Sequence, residues 1–211
     1  MNHFKAQVDK RHYYARSYGF EGRFVSYYHQ LSEVLKLSPN SVLEIGAGDK
    51  VFGSYIKNNS DILYNSVDFA SDLNPDIVAD IRQLPLDDKS YDVVCAFEVL
   101  EHLPFDDLET AIYELSRVAK QAVIISLPHF GPMLSFSLKI PFLPRIRWAI
   151  KLPFPKKHIF NGEHYWEMGK RGFGARRIKN ILLRYGKIEN EFIPFNSEYH
   201  HFFVLKIANN L

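Results

Sequence analysis

Three short stretches of the chain carry side chains able to bind metal, accept a proton or hold an anion. The run Phe97-Glu98-Val99-Leu100-Glu101-His102-Leu103 spaces Glu98, Glu101 and His102 at i, i+3 and i+4, which predicts one helical face bearing two carboxylates and an imidazole. That donor set suits a divalent ion, with His129 of Ser126-Leu127-Pro128-His129 as a fourth candidate ligand. The plainer reading is a helix start whose carboxylates favour the dipole and whose histidine lines a pocket. Further on, Asn161-Gly162-Glu163-His164-Tyr165-Trp166-Glu167 gathers a carboxylate, an imidazole and a phenol ahead of Lys170, Arg171, Arg176 and Arg177. Glu163, His164, Tyr165 and Arg171 are therefore expected to contact an acceptor, arginine offering paired donors to an anion, although a helix start with a solvated basic face has the same composition. His102, His129 and His164 are the candidate general bases.

A fourth stretch is suited to holding a cofactor. Val42-Leu43-Glu44-Ile45-Gly46-Ala47-Gly48-Asp49 places two glycines at the end of an apolar run, where the backbone must turn sharply and admit a ligand closely. A glycine pair alone also fits an ordinary tight turn. Asp68 ends the next apolar run, twenty positions beyond Gly48, a suitable place for a carboxylate to accept both ribose hydroxyls. Asp80-Ile81 follows a third run, pairing an acceptor for an exocyclic amino group with an apolar surface for a ring.

Taken in order, Glu44-Ile45-Gly46-Ala47-Gly48, Asp68, Asp80-Ile81 and Phe97-Glu98-Val99-Leu100-Glu101-His102 resemble the motifs of class I S-adenosylmethionine-dependent methyltransferases of the type 11 and type 12 group. The resemblance spans roughly residues 41–129 and implies S-adenosylmethionine as cofactor. It places Glu44, Gly46, Ala47 and Gly48 around the methionine moiety, Asp68 at the ribose, Asp80 and Ile81 at the adenine, and Phe97 and Glu98 beside the reactive end. It further implies a Rossmann-like α/β sheet, mostly parallel, with helices on both faces. Some relatives with E-x-x-E-H segments bind metal and others need none. One departure stands out, because Lys50 occupies the place of a third glycine. A dinucleotide-binding G-x-G-x-x-G would in turn need glycine where the chain has Val51, which disfavours a nicotinamide-dependent oxidoreductase.

The elements that must position these residues are legible from periodicity. Residues 22–37 carry Phe24, Tyr27, Tyr28, Leu31, Val34 and Leu35 at helical spacing. Apolar runs at 41–45, 62–67, 76–79, 91–97 and 122–127 predict five buried strands, and Leu108, Ile112, Leu115 and Val118 mark a helix before the last. Residues 173–185 predict a further helix, with 187–195 and 199–208 forming a C-terminal antiparallel hairpin. The expected organisation is one domain over 1–211: an N-terminal helix at 22–37, a cofactor-binding core at 41–127, a small cap or acceptor insertion at 128–170, and a helix with hairpin at 171–211. His12, Tyr13, Tyr14 and Tyr18 join Tyr27 and Tyr28 in an aromatic cluster that could close over the cofactor, although an ordinary packed amphipathic helix accounts for most of it and no catalytic role is expected there.

Composition bounds the function. A chain of 211 residues with 46% hydrophobic content can bury one sizeable core, and a net charge of +2 argues against a globally basic nucleic-acid binder. Cys95 is the single cysteine and sits in an apolar run as a small hydrophobe, which with the lack of an eighteen-residue apolar segment points to a cytoplasmic protein. Between residues 131 and 157 lie Lys139, Arg145, Arg147, Lys151, Lys156 and Lys157 with no Asp or Glu, interleaved with Phe136, Phe142, Trp148 and Phe154. This insertion predicts a cap for an anionic or lipid-linked acceptor, or peripheral membrane contact; a cap with buried aromatics and solvated charges is the simpler possibility. The leading expectation is O-methylation of a small molecule or a glycan precursor, the latter because the stretch from Asn161 to Arg177 resembles segments of methyltransferases of bacterial saccharide-biosynthesis clusters. Metal-assisted RNA methylation through Glu98, Glu101, His102 and His129, and a non-catalytic S-adenosylmethionine-binding protein, are the alternatives.

Overall fold

The computed structural model describes residues 21–154, 156–160 and 162–208. The expected cluster residues His12, Tyr13, Tyr14 and Tyr18, and Asn161 of the acceptor stretch, lie outside these. Helix α1 spans Glu21–Lys36. It is followed by β1 (Ser41–Ile45), α2 (Val51–Asn59), β2 (Leu63–Asp68), a short β3 (Ile77–Val78), β4 (Tyr91–Phe97), α3 (Leu108–Val118) and β5 (Ala119–Pro128). An inserted pair of strands, β6 (Met133–Leu138) and β7 (Ile146–Lys151), precedes α4 (Ala175–Leu182), β8 (Lys187–Phe192) and β9 (His200–Lys206).

Seven strands form one sheet in the order β3-β2-β1-β4-β5-β9-β8. The pairings from β3 through β5 are parallel, while β9 runs antiparallel to both β5 and β8. This is the expected mostly parallel Rossmann-like sheet with an antiparallel hairpin at its end. The near-continuous apolar text of β1, β4 and β5 has a direct cause, since a parallel strand is covered on both faces. Successive side chains alternate: Val42, Val93, Cys95 and Ile124 join Phe52 and Ile56 of α2 and Val34 of α1 in one buried layer. Leu43, Val94, Ala96, Val123 and Ile125 meet Ile112 and Leu115 of α3 and Ile178 and Leu182 of α4 in the other.

Two expectations are corrected. The Glu98–His102 segment is no α-helix: Glu98 has φ 54° and only Leu100–His102 form a single 3-10 turn. The insertion is a two-stranded β-ribbon with Phe136, Phe142, Trp148 and Phe154 exposed, so its aromatics do not bury themselves.

Candidate functional site

Strand β1 pairs with β2 on one side and β4 on the other, so the chain connections diverge beyond its carboxyl end. That divergence opens a crevice where ligands of open α/β sheets bind. Here it is a cleft of about 640 Å³. Gly46 takes φ +74° and any Cβ there would collide with Val99, so the turn after β1 requires glycine. Its N–H donates to Val67 O at 2.8 Å, tying the turn to β2. Lys50, where a third glycine was expected, adopts the same left-handed region at φ 64° as the residue preceding α2. The backbone thus keeps a glycine-like conformation with a lysine in it.

All the expected cofactor contacts line this cleft: Glu44, Gly46, Ala47, Gly48, Asp68, Asp80, Ile81, Phe97 and Glu98. Asp68 is buried at the end of β2, where Oδ1 accepts Ala70 N–H at 2.9 Å and burial raises its pKa. Glu44 is buried and accepts the Tyr64 hydroxyl proton, and desolvation pushes its carboxyl up to about 8. Asp80 is half-exposed and engaged by Arg82, whose Nη2 lies 2.6 Å from Oδ2, so Arg82 holds its pKa below the ordinary value. An adenine amino group there would share that carboxylate with Arg82.

The other rim of the cleft is held by contacts to backbone carbonyls. Tyr165 N–H donates to Glu101 O at 2.9 Å, Trp166 Nε1 to Leu103 O at 3.1 Å, and His102 Nδ1 lies 3.1 Å from Glu163 O. These contacts hold Glu163, His164 and Tyr165 over the pocket, which they line together with Glu101 and His102. His164 Nδ1 lies 3.3 Å from Glu167 Oε1, so a carboxylate orients its ring. Burial, reinforced by His164, lowers His102 to about 4 and keeps its imidazole neutral. Glu98 is raised to about 7 by burial, and Glu101 is raised well above its ordinary value by burial and by Glu98.

The metal constellation read from the sequence is not the one that assembles. Among the described residues, Glu101, His102 and His164 present one ligand atom each within 4.8 Å of one another. Glu98, whose left-handed backbone breaks the helical register, is not one of this trio, although its carboxyl lies close enough to raise the pKa of Glu101. His129 also stands apart: its Nδ1 lies 2.8 Å from Nδ1 of His201, the rings stacked at 5.0 Å, and burial drives its pKa down to about 3. His129 lines a second, shallower cavity of about 610 Å³ with Pro132, Lys151, Phe154 and Tyr199. Tyr199 lines both cavities and so stands between them. Arg171 lines neither and has an exposed side chain, its N–H donating to Lys156 O at 2.9 Å.

Sequence reasoning missed Arg23 and Gln30 of α1, which line the cleft beside Tyr27 of the expected aromatic cluster. The Tyr27 hydroxyl donates to Asp49 Oδ2. Their helical spacing was visible, but a packed face and a pocket-lining face look alike in one sequence. Tyr199 carried no signal beyond its place before β9.

Residues 43–127, the stretch from β1 to β5 that builds most of this cleft, match the family described as Methyltransferase domain. This segment is a methyltransferase domain. No curated protein matches the chain by sequence. Among solved structures, a protein of Pyrococcus horikoshii is similar at 15% identity and TM-score 0.57, covering 95% of this chain and 100% of its own. Magnesium protoporphyrin IX methyltransferase from Synechocystis, solved with bound S-adenosylhomocysteine, is similar at 13% identity and TM-score 0.58 over 98% of this chain and 91% of its own. The N-methyltransferase NodS from Bradyrhizobium japonicum, also holding S-adenosylhomocysteine, gives 13% and 0.53 over 86% and 87%. These likenesses establish the fold around the methyltransferase domain.

Proposed function

We propose that the protein binds S-adenosylmethionine in the 640 Å³ cleft and transfers its methyl group to an oxygen of a small-molecule or glycan-precursor acceptor. The observation carrying this reading is the gathering, at the divergence of β1 and β4, of the glycine turn, buried Glu44 and Asp68, and the apolar surfaces of Ile81 and Phe97. They fit the cofactor's chemistry: carboxylates for the ribose hydroxyls and amino group, apolar faces for the adenine, and an approach made close by Gly46. Two of the structural neighbours hold its demethylated product.

When bound, the cofactor supplies a methyl group already activated on a positively charged sulfur. The chain must align an acceptor oxygen behind that methyl, exclude water and accept a proton from a hydroxyl acceptor. His164 is the better placed base, because Glu167 orients its ring as a carboxylate orients the histidine of a catalytic triad. His102 is neutral but, at about 4, a weak proton acceptor. His129 sits with His201 in the second cavity, beyond Tyr199. Glu163 and Tyr165 contact the acceptor at the rim, and Lys151 in the second cavity gives an anionic acceptor group a cationic neighbour.

A second reading rests on Glu101, which is fully buried and whose carboxylate oxygens have no hydrogen-bond partner among the described residues. A divalent ion shared with His102 and His164 would satisfy it, and His164 would then be a ligand rather than a base.

Incubation with methyl-labelled S-adenosylmethionine and separate nucleotide-sugar, lipid-linked glycan, RNA and protein fractions tests the acceptor class. Label is expected in a glycan-precursor fraction, undiminished by a chelator and reduced about 100-fold in His164→Gln, the size of a general-base contribution. Label confined to RNA or protein would overturn the acceptor, and chelator-sensitive transfer would move the account to the metal reading.

A further inference from the structure

The cross-strand register of the inserted ribbon sorts its side chains by chemistry. Leu134 stands opposite Ile150, Phe136 opposite Trp148 and Leu138 opposite Ile146, so one face presents six large apolar groups. All six are exposed. The alternate positions place Ser135 opposite Ala149 and Ser137 opposite Arg147 on the other face. That polar face is tied to the body: the Arg147 guanidinium lies 5.5 Å from the Phe195 ring, and Lys151 Nζ donates to His129 O and Gly131 O at 2.6 and 2.8 Å. The apolar face therefore points outward. At six residues a strand the ribbon reaches roughly 20 Å. Its tip carries Ile140, Leu143 and Phe142, the last 103% exposed, between the cations Lys139 and Arg145.

We propose that this ribbon docks the protein on an anionic lipid bilayer, its tip and apolar face entering the interface while its cations meet the headgroups. Charge selects this occupant. The stretch from residue 131 to 157 has six Lys or Arg and no Asp or Glu. A second copy seated face to face would bring two such sets of cations together, whereas an anionic bilayer accepts both the apolar face and the charges. Single-stranded nucleic acid fits less well, because base stacking needs aromatic platforms and four of the six face residues are aliphatic. Each cation near an anionic surface adds roughly fivefold to partitioning, so attraction falls as salt screens it. Docking in this way sets the second cavity, lined by Pro132, Lys151 and Phe154 at the base of the ribbon, next to the membrane. The docking itself does not depend on which cofactor the cleft binds.

Flotation of the full chain with phosphatidylglycerol–phosphatidylcholine vesicles and with pure phosphatidylcholine vesicles tests the proposal. Binding at least tenfold stronger to the anionic vesicles is expected, falling about tenfold in Phe142→Asp and roughly 25-fold or more in the Lys139→Glu, Arg145→Glu double variant. All three positions belong to the exposed tip, and an unchanged melting curve shows that each variant folds. Trp148 supplies a second readout: it is 51% exposed while Trp166, the other tryptophan, is fully buried, so a blue shift on vesicle addition reports the ribbon. Failure to bind anionic vesicles, or binding with an unmoved Trp148 signal and no loss in Phe142→Asp, would overturn the proposal. A dimer that dissociates in Trp148→Ser would reassign the face to a second copy, and tighter binding to a single-stranded oligonucleotide than to vesicles would reassign it to nucleic acid.

Discussion

At the scale of single residues, the site combines groups whose charge is displaced by burial. The buried Glu44 carboxyl, at about 8 against an ordinary 4.5, binds a proton more tightly in the folded chain than in the unfolded one. With the folded pKa raised, its contribution to stability is present at low pH and is lost as pH rises from about 4.5 to 8. A cationic ligand reverses the preference by favouring the carboxylate. Affinity for S-adenosylmethionine is therefore expected to rise with pH, by up to roughly tenfold between pH 6 and 7, with a proton released on binding. Titration calorimetry in buffers of different ionisation enthalpy measures that proton. Glu44→Gln should abolish its share, and an unaltered proton count in that variant would place the cationic group elsewhere. Asp68 was legible from its place at the end of an apolar strand, and Glu44, Phe97 and Glu98 through the resemblance to the methyltransferase motifs. Arg23 and Gln30 were not, since their part depends on how α1 folds over the sheet.

At the scale of elements, strands and helices followed from periodicity, and local backbone conformation did not. The spacing of Glu98, Glu101 and His102 is helical, yet the left-handed Glu98 and a single 3-10 turn redistribute the three side chains, and His164 from a distant loop completes their cluster. The ribbon was obscured for a related reason: its prolines and mixed apolar text read as irregular, and alternation of faces emerges only once the register is known. The glycine turn is the converse case, a departure in sequence that leaves the geometry intact. Lys50 holds φ 64°, a region that costs a residue with a side chain roughly 1–2 kcal/mol. Its exposed Nζ contact with Asn74 O at 2.9 Å offsets little of that cost. Lys50→Gly is expected to stabilise the fold by about 1 kcal/mol, read as a higher urea midpoint at unchanged slope. A lower midpoint would show that the lysine contact outweighs the backbone strain.

At the scale of the whole molecule, the parallel half of the sheet holds the cofactor cleft, the antiparallel end backs the second cavity, and Tyr199, just before β9, separates the two. Among the described residues no helix is long and apolar enough to cross a membrane. On the proposed function, the cleft is an S-adenosylmethionine site anchored by Asp68. Calorimetric titration of the metal-stripped protein with S-adenosylmethionine and with NADH, repeated with Asp68→Ala, tests it most directly. Selective S-adenosylmethionine binding is predicted, weakened about 10- to 100-fold by Asp68→Ala, since hydrogen bonds to a charged group are lost at the ribose. Folded protein that ignores S-adenosylmethionine, or that binds NADH in its place, would contradict the account.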